Sequence, residues 1–198
     1  MLGPLRSRSA RRKTDSGEPR TLRERGAAAL EFALIAPLFF LVVFGGIEIG
    51  YMFRSHLTLQ DTARVAARVA SVERASDQAD RAIMERIQVR AQDLNGDVER
   101  VVIFAADTLD AQVPEECTRP GDASSNIFKC NVYVVPPGDS LQDVIDSFAS
   151  NDIGLVAADR QPWDNIGVHI QYDYNYVTGF FNSIQLSSTA VEVVELDL

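Results

Sequence analysis

The chain has 198 residues and a formal net charge of −9, enough for one modest domain plus an anchor. The charge is divided, because residues 1–25 carry eight Lys/Arg against three Asp/Glu, whereas residues 54–198 carry eleven against twenty-three. An acidic downstream region disfavours a nucleic-acid partner, whose phosphates it would repel.

A long apolar segment follows the basic N-terminus. Glu31 and Glu48 bracket sixteen uncharged residues, FALIAPLFFLVVFGGI. In a helix the two glutamates would lie about 25 Å apart along the axis, so each can reach an opposite interface of a hydrocarbon core about 30 Å thick. Residues 27–53 are therefore predicted to form a transmembrane helix in contact with lipid. The basic excess on its N-terminal side predicts a cytoplasmic N-terminus and an outer C-terminus.

A cleavable secretory signal is the competing interpretation of this segment. Such a signal has an apolar region of about 7–15 residues, followed by a small-x-small cleavage site. Here the apolar run is longer and ends in GIEIGYMFRSH, which contains no such site. A retained membrane segment is favoured.

Residues 54–94 are predicted to continue as an amphipathic helical extension. Its first part carries an alanine stripe at helical spacing, Ala63, Ala66, Ala67 and Ala70. Two partners for this stripe remain open, the protein's own sheet or the helices of other subunits. Ser76 is a candidate N-cap at which the helix would break or bend, and the Asn95–Asp97 turn would end the helical region.

Residues 95–198 are predicted to form a small α/β domain outside the cytoplasm. Strand patterns occupy 98–106, 131–135 and 168–176, and the last two strands of the chain are predicted to pair as an antiparallel hairpin. A short helix, capped by Asp139 or Ser140, would lie between the strands at 131–135 and 168–176. His169 falls on the polar side of its alternating strand and is predicted to face solvent. The expected fold class is α+β: a long apolar helix, its extension and a small antiparallel sheet.

The only two cysteines, Cys117 and Cys130, lie in a loop-rich stretch. In a domain outside the cytoplasm they are expected to form a disulfide, with two buried free thiols as the alternative. Two cysteines and two distant histidines lack the ligand spacing of a zinc site.

No residue set of a known catalytic site is present. The sequence has no Gly-rich phosphate loop, no G-x-S-x-G and no H-E-x-x-H, so it predicts neither an enzyme nor a cofactor. Five carboxylates surround the cysteine loop, but without the spacing of an EF-hand. A solvated acidic loop is preferred there over a calcium site, and no metal is expected. These carboxylates are Asp107, Asp110, Glu115, Glu116 and Asp122.

The stretch RGAAALEF, with Glu31 five residues after Gly26 and followed by Phe32, resembles the processing site of type IV pilin-like proteins. The longer string GAAALEFALIAPLFFLVVFGGIEIGYMF is similar to the TadE-like minor pseudopilins of tight-adherence pilus systems, especially in its EFALIAPLFF and FGGIEIG blocks. The terminal IQLSSTAVEVV strand is also similar, though less specific. Ala27 departs from broader type IV pilins, which usually have an aromatic residue after the glycine.

The resemblance implies a sequence of events at the N-terminus. A prepilin peptidase would cut between Gly26 and Ala27 and remove the basic leader, residues 1–26. The new α-amino group at Ala27 would then lie within one helical turn of Glu31, or could pair with Glu31 of a neighbouring subunit. Pro37 removes one helical hydrogen bond. It would either let the anchor bend or be a tolerated membrane proline. The residues expected to serve recognition or assembly are Glu31, Phe32, Pro37 and Glu48.

The implied function is a minor pilin-like subunit that primes, caps or assists a tight-adherence pilus. Its partners would be the peptidase, other pilins and pseudopilins, and the assembly platform of the inner membrane. Three alternatives are kept: a type II secretion pseudopilin, an uncleaved single-pass adhesin or sensor, and a membrane-tethered enzyme. The last has no supporting residue set.

Overall fold

The computed structural model describes residues 22–73, 78–118, 125–127, 130–147, 165–179 and 182–194. The chain divides into two compact units, Met1–Val43 and Phe44–Leu198. In the first unit the described residues are helical throughout, whereas the second unit contains helices and a sheet.

Two helices open the described chain. Helix α1 spans Leu22–Glu73 and helix α2 spans Ala79–Ala91. The predicted continuation of the apolar helix into an amphipathic one is confirmed, because α1 passes from the apolar segment into the alanine stripe. The predicted cap at Ser76 lies outside the described residues.

After these two helices, the described residues of the second unit contain a five-stranded antiparallel sheet. Its strand order is β2-β3-β1-β4-β5. The strands are β1 (Gly96–Ala106), β2 (Ser125–Ile127), β3 (Cys130–Val134), β4 (Asn165–Asn175) and β5 (Ser183–Val193). Two short helices connect them, α3 (Glu115–Thr118) and α4 (Leu141–Ser147). The predicted hairpin is confirmed, since β4 pairs with β5 along eleven residue pairs from Asn165↔Val193 to Asn175↔Ser183.

The main core lies between one face of this sheet and the helices. The four alanines of the stripe are fully buried, in one cluster with Ile83 and Ile87 of α2 and with side chains of β1 and β4. Small side chains let a helix approach a sheet closely, so the alanine stripe is explained by packing within the protein's own domain. On β4 the core positions are Val168, Ile170, Tyr172 and Tyr174, as the alternation predicts.

A smaller core covers part of the opposite face of the sheet. It contains Val102 and Phe104 of β1, Val132 of β3 and both cysteines. Gly167 of β4 lies under the Phe104 ring, and a Cβ at Gly167 would come within 2.3 Å of the ring's Cζ atom. Only glycine fits there without displacing the ring.

The prediction for His169 is wrong. The residue is only 6% exposed, and its Nδ1 atom lies 2.7 Å from the Oγ1 atom of Thr189 on β5. The strand alternation was identified correctly, but β4 is an inner strand between β1 and β5, and its second face is itself partly covered. Alternation shows which residues share a face, and only the tertiary structure shows whether that face meets water.

The N-terminal cap of α4 was predicted from the sequence, whereas the two shortest elements were not. Of the two candidate caps of α4, Ser140 is the one used: its Oγ accepts a hydrogen bond from the Asp143 N–H, and the Asp143 carboxylate accepts one from the Ser140 N–H. A hydrogen bond that the Ser140 hydroxyl donates to the Asp143 carboxylate, and after it the one from the Ser140 N–H, holds the pKa of Asp143 below its usual value. Helix α3 and strand β2 were not predicted, since three or four residues are too few to show a periodicity.

Candidate functional site: the apolar part of the first helix

The N-terminal part of α1 presents large apolar side chains to its surroundings. Leu30, Leu34, Ile35, Leu38 and Leu41 are each between 64% and 73% exposed. Folded soluble domains rarely expose a continuous apolar surface of this extent. Within the described residues, one helix is long and apolar enough to cross a membrane, and none of its most apolar 18-residue window is buried. This helix indicates a single-pass membrane protein.

Gly26 has no structural requirement of its own in the described part of the chain. It is exposed and helical, its φ is not positive, and a Cβ added to it would meet no heavy atom within 4 Å. A glycine usually marks a positive φ or a close approach of another group. Neither applies to Gly26, so packing and backbone conformation do not explain the glycine. It remains accessible for recognition by another molecule.

Glu31 and Phe32 are both exposed, with Phe32 at 68%. Glu31 lies four residues after Ala27, and this spacing brings side chains onto the same side of a helix. The structure therefore leaves both the carboxylate and the aromatic ring accessible. The α1 helix continues through Pro37 without interruption.

Glu48 differs from Glu31, because the domain buries it. The side chain is 2% exposed, and its carboxylate accepts two backbone hydrogen bonds from the β4–β5 turn. The Val177 N–H donates to Oε1 at 2.6 Å, and the Thr178 N–H donates to Oε2 at 3.0 Å. Buried carboxylates need such partners, and backbone N–H groups are strong donors to an ionised acceptor. Glu48 thus joins the helix to a turn about 130 residues further along the chain.

The spacing of residues along α1 indicates that Glu48 is buried, although the sequence was interpreted to place it at the membrane interface. Glu48, Ser55 and Leu59 are buried and Met52 is half-buried, at spacings of three or four residues. They continue the stripe of Ala63, Ala66 and Ala70 toward the N-terminus. Glu48 therefore lies on the face of α1 that packs on the domain. The helical spacing from Ala70 back to Glu48 indicates this face, whereas no local pattern indicates the turn that Glu48 contacts.

The two cysteines form a disulfide, which confirms the predicted pair. Cys117 on α3 and Cys130 on β3 are both 1% exposed and have Cα atoms 6.3 Å apart. The bridge connects α3 to the sheet beside the smaller core. Among the described residues, no group of three or more His, Cys, Asp or Glu could hold a metal ion. Asp122, one of the five loop carboxylates, lies outside those residues.

Both described histidines pair with uncharged polar side chains. His56 pairs with Gln60 at 3.0 Å and His169 with Thr189, so in the described structure neither has the carboxylate partner of a catalytic triad. Burial, and secondarily the positive charge of Arg100, lower the pKa of His169 to about 4. The ring is therefore neutral at physiological pH.

A family model matches a segment of the chain that includes the apolar, accessible start of α1. Residues 26–68 match the model of the TadE-like protein family. The match confirms the resemblance seen in the sequence, and it covers slightly more than a fifth of the chain. No curated protein and no solved structure matches the chain. The TadE-like match implies a pilin-like protein associated with a tight-adherence pilus.

Proposed function

We propose that the protein is a minor pilin-like subunit of a tight-adherence pilus, made as a precursor and processed by a prepilin peptidase between Gly26 and Ala27. The observation that carries the proposal is the TadE-like match, which begins at Gly26. The absence of any packing or backbone requirement at this glycine supports it, because the residue is then explained by recognition from outside.

Processing would create the group that Glu31 needs as a partner. A new α-amino group has a reference pKa of about 7.7–8.0 and is mostly protonated near neutral pH. Glu31, exposed and one helical turn away, would pair with this amine of its own chain or of a neighbouring subunit. Phe32 would belong to the recognised motif, and Pro37 would allow the anchor to bend as it passes from bilayer to filament.

The proposed location is the inner membrane, with the N-terminus in the cytoplasm and the domain outside, and with incorporation into a surface pilus. The eight Lys/Arg of residues 1–25 support this orientation through the positive-inside rule. The Cys117–Cys130 disulfide supports an oxidising compartment for the domain.

A minor role in the pilus is favoured by size. Bulk subunits of this branch are typically very short, whereas this chain carries a five-stranded domain after its helix. The subunit would prime, cap or assist the filament, with other pilins and the assembly platform as partners. A type II secretion pseudopilin is the second candidate, because it would share the processing site.

The peptidase step can be tested with two matched glycine variants of the full-length chain. Gly26→Val should prevent cleavage, because its branched side chain crowds the scissile bond, and should leave the precursor mass. Gly50→Val is the control, since Gly50 lies on the same helix and its added Cβ also meets nothing within 4 Å. Intact-mass measurement of membrane-extracted protein should show wild type and Gly50→Val beginning at Ala27. A wild-type protein that retains Met1, or begins near residue 60, would refute the proposal.

A further inference from the structure

The turn between β4 and β5 has an unusual composition for this acidic domain. No charged residue occurs between Tyr174 and Asn182, although residues 54–198 carry twenty-three Asp/Glu. At the tip of the turn, Val177 is 56% exposed and Gly179 has a φ of +68°. The tip thus presents an apolar side chain outwards where a solvent-facing turn would ordinarily be polar.

Glu48 fixes the level of this tip along α1. Its two carboxylate oxygens accept hydrogen bonds from the N–H groups of Val177 and Thr178, and the carboxylate is 2% exposed. Because two adjacent backbone donors bind one side chain, the tip can move little along the helix axis. The tip therefore lies beside the residue that ends the uncharged run of α1.

Arg54, the first charged residue of α1 after Glu48, indicates where the level of Glu48 lies relative to a bilayer. Arg54 is the first basic residue after the apolar run, and its side chain is exposed. It lies six residues beyond Glu48, which is about 9 Å further along the helix. Since an arginine head group at the end of a membrane helix reaches the headgroup region or water, the level of Glu48 falls on the membrane side of that position.

The side chains at this level suit the boundary between headgroups and acyl chains. Tyr51 lies between Glu48 and Arg54 on α1 and is 47% exposed, and Ile49 is 63% exposed. Tyrosine is enriched at membrane interfaces because its ring is apolar and its hydroxyl can meet water. Val177, which Glu48 holds at the same level, is a third exposed and uncharged side chain there.

We propose that residues 177–179 of the β4–β5 turn form a second membrane contact, inserted at the lipid headgroup–acyl boundary beside α1 and held there by Glu48. The inference depends on the single-pass anchor but not on the proposed pilus role. A domain that contacts the bilayer at the turn as well as through its helix cannot rotate freely about the helix axis. The face of the domain that meets a neighbouring subunit would then be set by the membrane.

Lipid contact at Val177 can be measured with an environment-sensitive fluorophore in the full chain. Val177→Cys provides a single labelling site, because both native cysteines are held in the disulfide. The labelled, unreduced protein is reconstituted into phosphatidylcholine vesicles with phosphatidylglycerol as the minor lipid, with and without lipids that carry a quencher near the headgroup. We expect the fluorophore at Val177 to be blue-shifted and strongly quenched.

Leu109→Cys is the matched control. Leu109 is 57% exposed, almost the same as Val177, but it follows the Ala106 end of β1, which pairs with the Asn165 end of β4. It therefore lies near the opposite end of the eleven-residue strand from the turn. Quenching at Val177 several-fold greater than at Leu109 supports the proposal, whereas equal quenching overturns it. A blue shift at Val177 without lipid quenching also overturns it and identifies a protein contact instead.

Discussion

Individual residues in this chain acquire their properties from what surrounds them rather than from their type. Glu31 and Glu48 flank the same apolar run, yet Glu31 is exposed and Glu48 is bound by two backbone N–H groups. His169 occupies a polar position of an alternating strand, yet it is buried and its pKa is lowered to about 4. Such differences predict different responses to pH and mutation.

Protonation of His169 should destabilise the folded domain. The pKa of His169 is about 4 in the folded state, against the ordinary histidine value of 6.5. The unfolded chain therefore binds the extra proton first as pH falls, and stability present above about pH 6.5 is lost progressively down to about pH 4. From about pH 7.5 to about pH 5 the loss attributable to His169 is at most about 2 kcal/mol.

The pH effect of His169 can be separated from that of other groups by comparison with His169→Gln. Urea unfolding of both proteins in detergent micelles should show a smaller loss of stability on acidification for the variant, because its side chain does not titrate. An identical pH dependence in the two proteins would show that His169 is not the group responsible.

At the scale of elements, α1 combines two surfaces along one continuous helix. Its later part carries the small and polar stripe from Glu48 to Ala70 that packs on the sheet, and its earlier part exposes large apolar side chains. The earlier part is suited to lipid or to other apolar helices. Glu31 is a charged group within that apolar surface. The effect of removing its charge can be tested by measuring pilus assembly.

Glu31→Gln should insert into the membrane but fail to support pilus assembly. If Glu31 pairs with the Ala27 amine of a neighbouring subunit, the amide removes one partner and leaves a cation in an apolar packing environment. Leaving a well-buried charge unpaired can cost several kcal/mol. Glu31→Asp should be intermediate, because its carboxylate is one methylene shorter.

The measurement for Glu31 is the surface pilus yield of strains that carry each variant, with the membrane level of the subunit measured in parallel. Reduced piliation at an unchanged membrane level is the expected result. Normal piliation with Glu31→Gln would mean that the carboxylate has no role in assembly and behaves only as an interfacial residue.

At the scale of the whole molecule, the second unit is held together by a helix–sheet core on one face of the sheet and by a smaller core with a disulfide on the other. The smaller core is formed largely by β1, β3 and the loop containing α3. With few large side chains available there, the covalent link is expected to contribute substantially to its stability.

Loss of the Cys117–Cys130 bridge should destabilise the domain by roughly 3 kcal/mol, because the reduced chain regains the loop entropy of a 13-residue separation in the unfolded state. Urea unfolding of the double variant Cys117→Ser and Cys130→Ser, compared with wild type, measures this difference. Thiol labelling of unreduced, denatured wild-type protein should be negative. Full labelling of both cysteines would contradict the bridge and weaken the assignment of the domain to an oxidising compartment.

The sequence alone determined the features that depend on local pattern. The apolar run, the alanine stripe, the alternation of β4 and the resemblance over the start of α1 could all be identified, because periodicity depends on neighbouring residues. The cap of α4 could be narrowed to Asp139 or Ser140, and the structure decided for Ser140. The cysteine pair could be expected because the chain contains no other candidates.

Only the tertiary structure decided what depends on residues distant in sequence. The two hydrogen bonds to Glu48 come from Val177 and Thr178, and the burial of His169 arises from its inner position between β1 and β5. No local pattern encodes a contact across about 130 residues, or shows that the second face of a strand is covered. Burial and partnership are properties of the packed sheet, since they arise when separate elements meet.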